Sequence, residues 1–233
     1  MSVHDGHRDR VRKRYIQEGL DGFQEHEVLE MLLFYCQCRK DTNDLAHRLL
    51  DEFGSLTNVL SATPSQLSEI VGVGEGTAVF LRFINDVNRY IQVKKKEYSC
   101  KSLLTLDECG EYLFPQFIGR RNEVVYIVCL DSKCKILGCK LLGEGSVNSA
   151  AVPIRRIVET SLNMNASTVV LAHNHPSGVA LPSTDDVQTT RTLANALHAV
   201  DILLADHMVF SDDEYISMFQ SGYFSVEDVL SGL

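Results

Sequence analysis

Apolar positions in the first hundred residues recur at helical spacing. Val28, Leu29, Met31, Leu32, Leu33 and Phe34 crowd the stretch from Glu25 to Tyr35, which predicts a compact helix. Asp41-Thr-Asn-Asp44 offers caps for a second helix running to about Phe53, with Leu45, Ala46, Leu49 and Leu50 on one face and Gly54 as its stop. Leu56 to Ser61 reads as a short helix, and Pro64 and Ser65 open another that ends near Ile70. Glu75 to Val93 carries Ala78, Val79, Leu81, Phe83, Ile84 and Val87 and predicts a longer helix. The polar run Lys94-Lys-Lys-Glu-Tyr-Ser follows and is the predicted linker.

Beyond that run the pattern changes. Leu106 to Ile118 has helical spacing. Glu123-Val-Val-Tyr-Ile-Val-Cys-Leu130 is β-branched and apolar, a buried strand, and Lys135 to Leu142 is its neighbour after a turn at Asp131-Ser-Lys. Pro153 to Asn163 reads as a helix with proline near its start, Thr168 to Ala172 as a central strand, and Ser183 to Val200 as a helix. Ile202 to Phe210 and Tyr215 to Met218 complete the sheet. The chain is therefore predicted as an all-α domain over residues 1–98 and an α/β domain over residues 105–233. It contains no internal repeat and no low-complexity tract.

Composition agrees with two packed domains. Of 233 residues, 45% are hydrophobic and 23% charged, enough to bury a core. The net charge of −9 is uneven: residues 1–101 hold 14 Lys and Arg against 15 Asp and Glu, and residues 102–233 hold 8 against 16. The nearly neutral first half is the better surface for a polyanion, while the acidic second half repels one unless a cation sits in it. Seven cysteines, an odd number, follow a polar N-terminus, and no apolar run approaches the roughly 18 residues of a membrane span. A reducing cytoplasm with no membrane attachment is the expectation. Cys36-x-Cys38 and Cys134-x4-Cys139 lack a second ligand pair at zinc-like spacing, so these thiols read as small core residues rather than a metal site.

The sharpest chemical feature is His173-Asn-His175-Pro-Ser-Gly178, followed by Pro182-Ser183-Thr-Asp-Asp186. Residues i and i+2 of an extended strand point to one side, so both imidazoles can converge on one ion. Asp186 then falls in the first turn of the next helix, with Asp185 as the competing carboxylate. Two neutral imidazoles and a carboxylate suit Zn²⁺ and leave a fourth position for water. The bland alternatives are a His-x-His pair without a ligand and a capping arrangement of Ser183 with Asp186.

These residues resemble the JAMM (MPN) metallopeptidase signature, His-x-His-Pro followed by Ser-x-x-Asp, with ten residues between His175 and Asp186 as in that signature. The context Leu-Ala-His-Asn-His-Pro-Ser-Gly, the later Asp206-His207-Met-Val and the helical first half resemble the bacterial RadC group, so the likeness covers nearly the whole chain. The resemblance implies an MPN/JAB domain with a cytidine-deaminase-like, three-layer mixed sheet. It implies one zinc per chain on His173, His175 and Asp186, and Ser183 steadying the oxyanion or a bound water. It also implies an upstream glutamate as general base. Glu123 is that glutamate by its place at the head of an apolar strand, with Glu144 as rival. Asp206 and His207 are either partners that orient a ligand or a polar pair finishing a strand. The implied activity is amide or isopeptide hydrolysis of an unidentified protein or peptide, with a non-catalytic DNA-associated or protein-binding module as the alternative. Where RadC-group members carry Pro-Arg-Glu before the histidine strand, this chain has Ile154-Arg155-Arg156, which bears on substrate preference rather than on the ligands. The letters His-Asn-His are not an HNH nuclease motif, which spreads its residues over a hairpin and a helix. Zinc deaminases use a Cys-x-x-Cys that this chain lacks.

In the first half, Val71-Gly72-Val73-Gly74 between two helices resembles a helix–hairpin–helix, whose backbone N–H groups approach phosphate without sequence preference. Gly-x-Gly is also an ordinary packing turn, and Glu75 stands where a cation would help. Arg8, Arg10, Arg12, Lys13 and Arg14 are the alternative phosphate contacts, or a solvated face. Non-specific DNA is the partner this half implies; the oligomeric state is open.

Overall fold

The computed structural model describes residues 3–37, 41–145, 152–176 and 178–225. Cys38, Ser177 and the residues after 225 lie outside them. The chain divides into two compact units, Met1–Asn88 and Arg89–Leu233.

The first unit is helical: α1 (Val3–Glu18), α2 (Glu25–Cys36), α3 (Asn43–Phe53), α4 (Leu56–Ser61), α5 (Pro64–Ser68) and the start of α6 (Glu75–Ser99). Its core is Leu29, Leu33, Leu45, Ala46, Leu49, Val59, Leu67, Ala78 and Leu81, the apolar faces that the spacing predicted. Capping sets the helix starts. Ser55 Oγ accepts from Asn58 N, and Thr63 forms a reciprocal box with Gln66 before Pro64.

Two features depart from the sequence reading. The helix α1 lacks an apolar stripe and was not predicted as an element of its own. It is held to α2 by its basic residues: Arg8 lies over the Phe34 ring and donates to Gln37 O at 2.6 Å, and Arg14 pairs with Glu27 at 2.7 Å. His7 reaches the buried Glu30 at 3.2 Å. The predicted linker is also corrected: Lys94–Ser99 is the last turn and a half of α6, and the division between units falls inside that helix, after Asn88. Straight-chain lysines and glutamate are good helix formers, and a Lys94–Glu97 pair supports the turn.

The second unit comprises α7 (Leu106–Phe117), β1 (Glu123–Leu130), β2 (Ile136–Gly145), α8 (Ile154–Asn163), β3 (Thr168–Asn174), α9 (Thr184–His198), β4 (Leu203–Phe210) and β5 (Tyr215–Ser217). The five strands form one mixed sheet in the order β2-β1-β3-β4-β5, with β3 central. Only β3 and β4 run parallel, joined by the crossover helix α9. Alternation along the strands splits the core in two. Val125, Ile127, Cys129, Val169 and Leu171 face α8 and α9, where Ile157, Leu193 and Leu197 meet them. Val124, Tyr126, Val128, Val170, Ala172 and Phe210 face α7, with Tyr112, Leu113 and Phe117. Helices thus cover both faces of the sheet. The α7 layer packs closely: a Cβ at Gly110 would lie 2.3 Å from the Tyr215 ring, so only glycine lets α7 approach β5 this far.

A candidate metal centre at the end of the central strand

The strand β3 runs two residues past its predicted end, so His173 is its penultimate residue. His175 extends the parallel pairing by donating its backbone N–H to Phe210 O at 2.8 Å. Both rings therefore sit on the α9 side of the sheet, and Asp186 enters from the first turn of that helix. His173 Nε2 lies 2.9 Å from His175 Nε2 and 3.3 Å from Asp186 Oδ1, and His175 Nε2 lies 3.5 Å from Asp186 Oδ2. Among the described residues these are the three side chains that bring ligand-type atoms together, all within 4.8 Å. Zinc bonds of about 2.0–2.1 Å in a tetrahedron put neighbouring donors roughly 3.3–3.4 Å apart, and this donor set has that size. His173 is buried, while His175 and Asp186 are only four-fifths so, which leaves one side of the cluster open. The competing Asp185 is exposed and lies outside the group.

Ser183 is the N-cap of α9. Its backbone N–H and its hydroxyl donate to Asp186 Oδ2 at 2.7 and 2.6 Å, and its Oγ accepts from Asp186 N at 3.1 Å. The capping reading and the site reading thus meet in one residue, whose hydroxyl proton is directed at Asp186. Burial works against the charge of Asp186, but the imidazoles of His173 and His175 beside it and the Ser183 hydroxyl hold its carboxyl well below the ordinary range. His175 is shifted up. Its bond to Asp186 is the main cause, opposed by burial and aided by the charge of Asp186, a backbone bond to Val179 and the charge of Glu123.

The register separates the two glutamates. Val125 pairs with His173, so Glu123, two residues earlier, falls on the face of the histidines. Glu144 pairs with Val124, on the α7 face, where its carboxylate meets Arg120 at 3.6 Å and Asn122 Nδ2 at 3.2 Å. Asn174, the middle residue of the histidine pair, had no role in the sequence reading. Its Oδ1 accepts from Val124 N at 2.8 Å and its Nδ2 donates to Asn122 O at 3.2 Å, which clamps the start of β1 on either side of Glu123. An amide between two histidines at a strand end was the available signal.

Asp206 and His207 part company because neighbours on a strand face opposite ways. His207 Nε2 is 2.8 Å from His173 Nδ1, and His207 Nδ1 is 2.6 Å from Thr190 Oγ1, a residue that sequence reasoning missed. Burial, and then the proximity of His173, push His207 well below its ordinary value. Asp206 touches none of the three. Its Oδ1 accepts from the backbone of His207 and Phe219 at 2.8 and 3.0 Å, and burial pushes its carboxyl up. Arg155 at the start of α8 is exposed and pairs with Glu159 on its own helix. Of the described cysteines, Cys109 and Cys129 are core residues, and no thiol joins the metal-type group.

A mixed sheet sandwiched by helices, with a His-His-Asp group at the end of its central strand, is consistent with a JAB-type domain. Residues 103–223 match the RadC-like JAB domain, and residues 6–79 match the UPF0758 N-terminal family. A UPF0758 protein of Fusobacterium nucleatum is 34% identical over 93% of this chain and 96% of its own length. Others from Paraburkholderia xenovorans and Photobacterium profundum are 33% and 34% identical, each over 92% of this chain and over 85% and 95% of their own lengths. The chain belongs to the UPF0758 family, with a RadC-like JAB domain as its second half.

Proposed function

We propose that this protein is a zinc-dependent hydrolase of amide or isopeptide bonds. The observation that carries the reading is the triangle of donor atoms on His173, His175 and Asp186, which has the size of a zinc coordination face and one open side. His173 Nε2, His175 Nε2 and a carboxylate oxygen of Asp186 would hold one zinc per chain. Zinc so held supplies Lewis acidity and makes water a nucleophile near neutral pH. Glu123, on the histidine face, takes the proton from the attacking water and returns it to the leaving amine. Ser183 either turns its hydroxyl toward the oxyanion or keeps it on Asp186; its present bonds favour the second. Asn174 holds the strand that carries Glu123. The helices on both faces of the mixed sheet support a cytidine-deaminase-like arrangement. No helix among the described residues is long and apolar enough to cross a membrane, and the free thiols suit a reducing cytoplasm.

Elemental analysis tests the metal: about one zinc per chain is expected, lost in His173→Ala and Asp186→Ala. No zinc in the wild type sinks the proposal. Glu123→Gln then separates enzyme from binding module. It keeps zinc but loses about 10²–10⁴-fold in cleavage of a panel of fluorogenic peptide and isopeptide substrates, whereas Glu144→Gln does not. A Glu123→Gln chain that retains every biological function favours the non-catalytic module.

A second reading concerns the first unit. Gly72 has φ +101°, and Arg48 Nη2 stands 3.4 Å from where its Cβ would be, so α3 supplies the cation that the local sequence lacks. Arg8 and Arg14 are engaged within the unit, while Arg10 and Lys13 are exposed. This supports a helix–hairpin–helix at Gly72 and Gly74 that binds DNA backbone without sequence preference. Arg48→Ala should weaken DNA binding in fluorescence anisotropy and flatten its salt dependence. An unchanged salt slope discards the hairpin as the contact.

A further inference from the structure

Thr190 is a fully buried residue of α9, one turn beyond Asp186. Its Oγ1 lies 2.6 Å from the backbone carbonyl of Asp186 and 2.6 Å from His207 Nδ1. Met218 Sδ, at 3.7 Å, is a far weaker acceptor. His207 is 3% exposed, and its other nitrogen, Nε2, lies 2.8 Å from His173 Nδ1.

These contacts leave one arrangement of protons. A carbonyl oxygen only accepts, so the short contact to Asp186 takes the single proton of the Thr190 hydroxyl. Thr190 Oγ1 then offers His207 only lone pairs, and His207 Nδ1 must donate. Neutral His207 with its proton on Nδ1 presents a bare Nε2, so His173 must donate through Nδ1. With its proton on Nδ1, His173 can offer a lone pair at Nε2, the atom that lies 2.9 Å from His175 Nε2 and 3.3 Å from Asp186 Oδ1. Reversing the order would strand the Asp186 carbonyl against an oxygen with no proton between them, and would place on His173 Nε2 a proton that must leave before that atom can bind a metal.

We propose that Thr190 is a positioning residue: its hydroxyl, anchored on the Asp186 carbonyl, sets the tautomers of His207 and then His173, and so presents the Nε2 lone pair of His173 to the metal site. The backbone of one ligand thereby orients the ring of another. This rests on the metal-site reading above, but the tautomers exist without metal and can be read without it.

The experiment uses the full, metal-stripped, ¹⁵N-labelled chain. Long-range ¹H–¹⁵N correlation spectra report which nitrogen of His173 and His207 carries the proton, and competition with a chromogenic chelator reports zinc affinity. The wild type should show both rings protonated on Nδ1. Thr190→Val, similar in shape but without the hydroxyl, should lose that preference at His207 and bind zinc about 10–100-fold more weakly. Thr190→Ser should restore both, which a loss of packing alone would not allow. His173 protonated on Nε2 in the wild type, or a Thr190→Val chain with unchanged tautomers and zinc affinity, overturns the proposal. A wild type that binds no zinc overturns the metal reading itself, and the spectra still decide whether the relay exists.

Discussion

Replacing Ser183 by alanine in the metal-free chain separates a residue that holds Asp186 from one that only serves a reaction. Two bonds are lost: Asp186 N–H to Ser183 Oγ at 3.1 Å, and Ser183 Oγ–H to Asp186 Oδ2 at 2.6 Å. The Ser183 backbone bond to Oδ2 survives the change. The N-cap is worth about 1 kcal/mol and the hydroxyl–carboxylate bond, on an exposed hydroxyl, about 1 more, so the loss is roughly 2 kcal/mol. For a domain of this size that lowers Tm by about 4–8 °C. Thermal denaturation followed by circular dichroism measures it, with Ser183→Thr as the control that retains both bonds. Zinc affinity should fall alongside, because Asp186 loses two of the bonds that orient it. A Tm within about 1 °C of wild type would refute the reasoning. If the variant then loses only kcat, Ser183 acts on the reacting atoms instead.

Three further outcomes follow from the geometry. His175 is shifted up, so the stability it contributes to the metal-free chain is whole below about pH 6.5 and is lost as pH rises through its folded value. Asp186 is shifted down, so its share is present above about pH 4 and is lost as pH falls. The Tm gap between wild type and Asp186→Asn should therefore peak between those limits; a gap that widens toward pH 8.5 contradicts this. Gly110→Ala drives a methyl group to 2.3 Å from a Tyr215 ring that is itself stacked on Phe210, and should cost about 1–3 kcal/mol in urea denaturation, partly recovered when Tyr215→Ala is added. Burial, with the charge of Asp206 behind it, pushes the Cys109 thiol up to about 12, and burial pushes that of Cys129 up to about 11. At pH 8 their thiolate fractions are roughly 10⁻⁴ and 10⁻³, so peptide mass spectrometry should find iodoacetamide on them only after denaturation.

Strands β1 and β3 were legible because each is a continuous apolar run buried on both faces, the helix α2 because its apolar residues crowd one short stretch, and the helices α3 and α9 because caps or stops mark their ends. The helix α1 was not, since arginines over aromatic rings and ion pairs replace the apolar stripe that periodicity detects. The last turn and a half of α6 was missed because polarity signals solvent exposure, which a helix tolerates as readily as a linker does.

Within the site, order along the chain determined a great deal. Two imidazoles at i and i+2 on a strand and an acid in the next helical turn must converge if that strand and helix are neighbours, and a crossover connection makes them so. Pairing register and packing decided the rest. Glu123 and Glu144 are both acids near apolar strands; which face each occupies depends on the pairing of β1 with β3 and β2, a relation between distant segments. Asp206 and His207 are adjacent in sequence, yet strand alternation sends one to the turn after β5 and the other to His173. Thr190 and Arg48 gain their roles from residues brought near from 17 and 24 positions away, His207 and Gly72. Local sequence sets what each residue can do chemically, and long-range packing sets which atoms are close enough to do it together.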